Sequence, residues 1–162
     1  MNFKDFKKLQ KKLNSNIVYK NIIRANINLE NLSIENKIEL IYNLFLSNCN
    51  IKSLGYVIFS WEDDSKIEKT ISLSNNKFNL SKLSSYRNGS KPGIFFLKNC
   101  EFNDLFLRTL LICHFNFEKG LKPSLNIKVH IYIICNNCQI LLEIYDDRGL
   151  NFCYLPSKKI KI

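Results

Sequence analysis

Near the C-terminus, an apolar stretch ends in a dense group of charged residues. Residues 140–144 are mostly aliphatic, and they are followed by Tyr145, Asp146, Asp147, Arg148 and Gly149. Paired carboxylates can act as general acid and base or hold a divalent cation. The same residues can also build a rigid turn, in which an Asp accepts backbone N–H bonds, Arg148 forks onto a carboxylate and Gly149 supplies a positive φ. The turn is favoured, because adjacent strand residues point to opposite sides and Mg²⁺ or Ca²⁺ needs more oxygen ligands.

Cys135 and Cys138 have the spacing of half a zinc site. A structural zinc site needs two further Cys or His ligands, and no second pair with this spacing is present in the sequence. On the predicted strands, these two thiols face each other across a hairpin turn. They form either an incidental cross-strand pair or a redox-active dithiol, and the first is favoured because no helix N-terminus lowers a thiol pKa there. We therefore predict no metal site and no cofactor.

Only two histidines, His114 and His130, are available for chemistry based on imidazole. One hypothesis makes Cys113 or Cys135 a nucleophile, a histidine its base, and a carboxylate at residues 146–147 the group that orients this base. The alternative places His114 at a helix end beside the core and His130 on a strand face. A triad is defined by geometry, which a sequence does not supply. We predict that the protein has no catalytic residues and is not an enzyme.

The length of 162 residues, with 46% hydrophobic residues, suits one core and is too short for two comfortable domains. Six cysteines without an export signal indicate reduced thiols. No apolar run approaches the roughly 20 residues that span a bilayer. We therefore expect a single domain over residues 1–162 that is cytoplasmic and does not contact a membrane.

The formal net charge of +10 is concentrated at the two ends of the chain. Residues 1–24 contain seven basic residues against Asp5 alone, and the C-terminus adds Lys158, Lys159 and Lys161. Basic ends can attract nucleic acid, although the phenylalanines among the N-terminal lysines are better explained by packing. A nucleic-acid-binding module that uses these basic termini is therefore the alternative function.

Hydrophobic spacing predicts the elements of the N-terminal half. A basic amphipathic helix is predicted over residues 1–14, and β-branched residues predict a strand within 17–29. Ser33 is the predicted N-cap of a helix that ends near residues 48–50. Two strands at 54–61 and 67–73 would form an antiparallel hairpin around an acidic loop.

The C-terminal half alternates polar and apolar segments. Residues 74–93 lack a sustained period, and we expect a mobile insert there with at most one short helix. A strand at 94–97 and a helix over 101–115 follow, and Gly120 and Pro123 end the helix.

The last third predicts a β-meander over residues 127–155. Its strands lie at 127–135, 139–145 and 150–155, joined by turns at 136–137 and 147–149. The elements together predict an α+β fold, an antiparallel sheet with helices packed mainly on one face.

One resemblance rests on residues 112–152. A helix ending at 112–117, Pro123 in the next loop, strands at 129–134 and 141–145, and then the sequence YDDRG resemble an uncharacterised bacterial family with this signature. That family provides no catalytic residues.

Small bacterial proteins of this kind are similar to the immunity proteins that accompany secreted toxins. The analogy implies a non-catalytic protein that neutralises a polymorphic or contact-dependent toxin by direct binding, without a small-molecule substrate. The expected contact residues lie in two charged loops: Glu62, Asp63, Asp64, Asp146, Asp147 and Arg148.

Overall fold

The computed structural model describes residues 23–49, 54–60, 80–88, 91–98, 103–135 and 140–154. Within these ranges the chain forms two helices and seven strands. Their order is β1 (Ile23–Asn28), α1 (Ile34–Leu46), β2 (Leu54–Ser60), β3 (Leu80–Asn88), β4 (Lys91–Lys98), α2 (Asp104–Lys119), β5 (Val129–Cys135), β6 (Ile140–Ile144) and β7 (Gly149–Tyr154).

The seven described strands form one antiparallel sheet in the order β1-β7-β6-β5-β2-β4-β3. Strands β5 to β7 form the predicted C-terminal meander in the middle of this order. β1 lies at one end of the sheet, where it pairs with β7 from Ile23↔Tyr154 to Asn28↔Gly149. The predicted α+β class with an antiparallel sheet is therefore confirmed.

Both described helices pack on the same side of the sheet, which we call the first face. Alternate strand residues on this face, such as Ile131, Leu142 and Phe152, join residues of α1 and α2 in one buried cluster. Ile41 of α1 and Leu111 of α2 are fully buried within it. Burial of this apolar surface is the main favourable term in the folding free energy.

The second face of the central strands is buried as well. Tyr132, Ile134, Leu141 and Cys153 alternate with the first-face residues and are 1–5% exposed. Strands buried on both sides read as continuous apolar runs, as residues 131–135 do. Neither face of these strands is therefore an open binding surface.

Capping residues set the ends of the two helices. The Ser33 hydroxyl accepts the N–H of Asn36 at 3.2 Å, as predicted, and Asn103 accepts the N–H of Phe106 at 2.9 Å. Side-chain caps of this kind satisfy N–H groups that have no partner within the helix. α2 ends at Gly120, whose φ of 67° is left-handed.

Two predictions for the middle of the chain are wrong. The expected insert at 74–93 contains β3 and the beginning of β4. The sequence did not predict β3, because a register shift between Lys82 and Ser84 breaks the two-residue period that identifies a strand. Strand β2 does not form a hairpin with 67–73 along its described length, since β4 and β5 occupy its two sides.

Some predictions lie outside the described residues. They are the helix at 1–14, the strand at 67–73, the turn at 136–137 and the acidic loop of Glu62, Asp63 and Asp64. Within the described ranges, neither helix has the length and apolar character needed to cross a membrane.

Replacing Gly120 tests the left-handed end of α2. An added Cβ would meet nothing within 4 Å, so the cost of Gly120→Ala is conformational. We expect a loss of about 1 kcal/mol in the free energy of unfolding, measured by urea denaturation. Gly120→Asn is the matched control and should lose less, because Asn tolerates the left-handed region better. Equal stability of Gly120→Ala and the native protein would contradict this account.

Candidate functional site

The Asp146 carboxylate closes the turn between β6 and β7. One oxygen, Oδ1, accepts the backbone N–H groups of Arg148 at 2.9 Å and Gly149 at 3.2 Å. The other, Oδ2, accepts Nε and Nη2 of Arg148 at 3.2 and 2.8 Å. Burial acts to raise the pKa of Asp146, but the hydrogen bonds and charge of Arg148 outweigh it, so the pKa is lowered. The carboxylate is charged and fully engaged within the turn.

The atoms around position 149 leave little room for any side chain, which favours glycine there. A Cβ at this position would lie 2.6 Å from the Tyr145 hydroxyl and 3.2 Å from the carbonyl oxygen of Ile27 in β1. The sequence predicted a positive φ here, and that prediction is wrong: among the described glycines only Gly120 has one. The glycine instead allows β1 to approach the start of β7.

Lys37 of α1 reaches the turn from the first face, although it is 0% exposed. Its Nζ donates a hydrogen bond to the backbone carbonyl of Asp147 and lies 3.8 Å from Oδ2 of the same residue. The ring centroid of Phe115 is 5.4 Å from Nζ. Burial lowers the pKa of Lys37, and the Asp147 charge opposes this shift. A buried amine with these partners fixes the turn against α1 and α2.

His114 of α2 also contacts the turn, through the backbone of Asp146, and is 1% exposed. Its pKa is lowered to about 4, foremost by burial and then by the nearby His130, and a hydrogen bond with the backbone of Asp146 opposes the shift only in part. Within the described part of the chain, Nε2 has no hydrogen-bond partner. The imidazole is therefore neutral at pH 7 and enclosed.

The hypothetical nucleophile triad is not assembled at this turn. The Asp146 oxygens are occupied by Arg148 and Gly149, and His114 meets the backbone of Asp146. Cys113 is buried, and burial raises the pKa of its thiol, which opposes formation of the thiolate nucleophile. Cys135 is also buried, whereas Cys138 lies outside the described residues. No group of three potential metal ligands occurs among the residues described.

A row of polar side chains crosses the second face, and the sequence did not predict it. Glu143 accepts Tyr132 Oη at 3.3 Å on Oε1 and Asn151 Nδ2 at 3.1 Å on Oε2. Asn26 Nδ2 then donates to Asn151 Oδ1 at 3.2 Å and to the Tyr145 hydroxyl at 3.3 Å. The row links β5, β6, β7 and β1 through matched register positions. It fixes the register of the four strands.

An open groove of about 470 Å³ runs between α1 and the loop after β1. We call it the α1 groove. Its apolar residues are Ile27, Leu32, Leu40 and Leu44. Its polar residues are Asn36, Glu39, Asn43 and Ser47, all exposed. All eight residues that line this groove belong to the described part of the chain.

The turn residues predicted to contact a partner differ in accessibility. The Asp146 side chain is 7% exposed, so little of its surface is accessible for the predicted contact with a partner. The Asp147 side chain is 22% exposed and faces Lys37, while that of Arg148 is 70% exposed. Arg148 alone of the three is largely open to solvent.

Comparison of the chain with protein-family models, curated proteins and solved structures finds no match. The arrangement described above therefore carries the functional argument by itself.

Replacing Asp146 distinguishes a structural turn from a catalytic one. We expect Asp146→Asn to lower the free energy of unfolding by about 2 kcal/mol, because an amide cannot accept both backbone N–H groups and the guanidinium equally well. Arg148→Gln is the control: it keeps the two backbone bonds, and its loss should be clearly smaller. Urea denaturation measures both. An Asp146→Asn protein as stable as the native one would exclude the structural role.

The buried His114 predicts an acid-sensitive stability. The ordinary pKa of a histidine side chain is 6.5, and the pKa of His114 in the folded protein is about 4. At a pH between these two pKa values, His114 binds a proton in the unfolded chain but not in the folded protein. The free energy of unfolding is therefore at its full value above about pH 6.5 and decreases as the pH falls towards 4. We expect His114 to account for a loss of about 2 kcal/mol between about pH 7.5 and about pH 5.

Urea denaturation at the two pH values measures this loss. His114→Gln should remove most of the dependence, whereas His130→Gln should retain the larger part, because His130 is only half-buried. An unchanged pH dependence in His114→Gln would contradict the assignment.

Proposed function

We propose that this protein is a non-catalytic binding protein, an immunity protein that neutralises a bacterial contact-dependent or polymorphic toxin by direct binding in the cytoplasm. The observation that carries the proposal is that the carboxylates of the charged turn make their contacts within the protein. Asp146 bonds Arg148 and Gly149, and Asp147 faces the buried amine of Lys37. The charged residues that were the strongest candidates for catalysis in the sequence therefore stabilise the fold.

The burial of His114 supports the same proposal. A general acid or base needs contact with the proton that it transfers, and its pKa is best placed near the working pH. The His114 side chain is enclosed, and its pKa is about 4. A role in packing accounts for this environment better than a role in proton transfer.

A binding function places the interaction on the protein surface. Immunity proteins act by covering the active site or the substrate-binding surface of a toxin, so they need a stable scaffold and a complementary patch. The sheet with both central faces buried supplies the scaffold. Among the described residues, the α1 groove combines apolar and exposed polar groups as interface patches do.

Nucleic-acid binding is the second candidate, and the net charge of +10 favours it. Its basic residues lie at the two ends of the chain and, except for Arg24 in β1, outside the described ranges. Phosphate contacts by lysines would give an affinity that falls steeply with salt concentration.

Co-expression with the protein encoded by the neighbouring gene tests the proposal. We expect the wild-type chain to protect cells from this toxin and to form a stable complex with the toxin domain in isothermal titration calorimetry. The control variant replaces Lys158, Lys159 and Lys161 by Gln, and it should still protect. Absence of both protection and complex would contradict the proposal. Loss of function in the Gln variant, with salt-sensitive RNA or DNA binding by the native chain, would favour the second candidate.

A further inference from the structure

The α1 groove follows one side of a helix for most of its length. Asn36, Leu40, Asn43 and Ser47 are spaced by three or four residues, so they lie on one side of α1. With a rise of 1.5 Å per residue, the span from 36 to 47 measures about 16 Å. That length accommodates several residues of another polypeptide.

The deepest part of the groove is lined by apolar side chains. Leu44 is 5% exposed at its base, while Leu40 and Leu32 are half-buried along it. Ile27 closes it from β1, the last strand on this side of the described sheet. Aliphatic side chains of a partner would be desolvated here, which provides the main gain on binding.

The exposed charged residues of α1 and of the loop before it are acidic, in contrast to the chain as a whole, although Arg148 of the β6–β7 turn interacts with Glu30. Residues 29–49 contain Glu30, Glu35 and Glu39, all exposed, and a single base, Lys37. Since Lys37 is fully buried beside Asp147, its charge is not presented at this surface. Glu39 does approach Arg108, with Oε1 3.7 Å from Nη2, but both side chains are about half-exposed and such pairs exchange readily.

We propose that the α1 groove binds a basic segment of the toxin, with aliphatic side chains in the groove and Lys or Arg beside Glu39 and Glu35. This inference rests on the proposed function and identifies the surface that performs it. The chain as a whole has a net charge of +10, but Glu39 is the one charged residue among the described residues that line the groove, and Glu35 precedes it by about one turn of α1, so this surface can attract a basic segment. Charge complementarity speeds the encounter, and the buried aliphatic contacts set the lifetime of the complex.

The same features disfavour a phosphate-bearing partner. Exposed carboxylates repel phosphates, and the groove is lined by aliphatic and amide groups, whereas single-stranded nucleic acids stack on aromatic side chains. Binding of nucleic acid by the basic ends would not involve this surface.

Two matched pairs of variants test the groove against the inactivated toxin domain in calorimetry. Leu40→Lys places a charge in the groove, and Leu105→Lys makes the same change at a leucine that is 53% exposed on α2. Glu39→Gln and Asn126→Lys each raise the net charge by one, the first by removing a carboxylate from the groove and the second by adding an ammonium group at an exposed position outside it. Circular dichroism establishes that each variant is folded.

We expect Leu40→Lys to weaken binding by at least about tenfold, and Glu39→Gln by about threefold with a shallower salt dependence. Both controls should bind as the native chain does. Since Glu39 is exposed, its variant remains informative if Leu40→Lys fails to fold. Native affinity in a folded Leu40→Lys protein, or in Glu39→Gln, would contradict the proposal that the toxin binds in the α1 groove. The proposed function would still stand. Failure of the native chain to bind the toxin would overturn both.

Discussion

The buried ammonium group of Lys37 is the constraint on which the central part of the structure depends. It reaches the Asp147 carbonyl and lies close to the Asp147 carboxylate and the Phe115 ring, so one side chain joins α1, α2 and the β6–β7 turn. A buried charge is costly unless it is paired and hydrogen-bonded. The turn must therefore keep its conformation for the helices to pack, and Asp146 provides that conformation through the N–H groups of Arg148 and Gly149.

This constraint also explains where β1 lies. The N–H of Leu29 donates to the carbonyl of Arg148 at 2.7 Å, and the absence of a side chain at Gly149 lets Ile27 approach. The turn thus positions the end of β1 and the loop leading to α1, which together form one wall of the α1 groove. The charged turn thus helps to shape the α1 groove, although none of its own residues, all of them described, lines that groove.

The sequence predicted the elements whose signals are local. Ser33, Gly120 and the three C-terminal strands are recognised by caps, turn residues and hydrophobic period. β3 was missed because its register shift removes the period, and the neighbours of β2 depend on contacts distant in sequence. Lys37 was missed because lysine is almost never fully buried, although it lies between Ile34 and Ile41 at helical spacing. The polar row through Glu143 depends on strand register, which no single segment specifies.

Amide hydrogen exchange in the native protein and in Lys37→Met tests the central claim, that the buried amine holds the turn. The account predicts that the amides of Leu29 and Gly149 exchange as slowly as those of β5 in the native protein. In Lys37→Met they should exchange faster by a larger factor than the β5 amides, because the turn opens locally. An equal acceleration throughout the described strands, or no change at the turn, would contradict the claim.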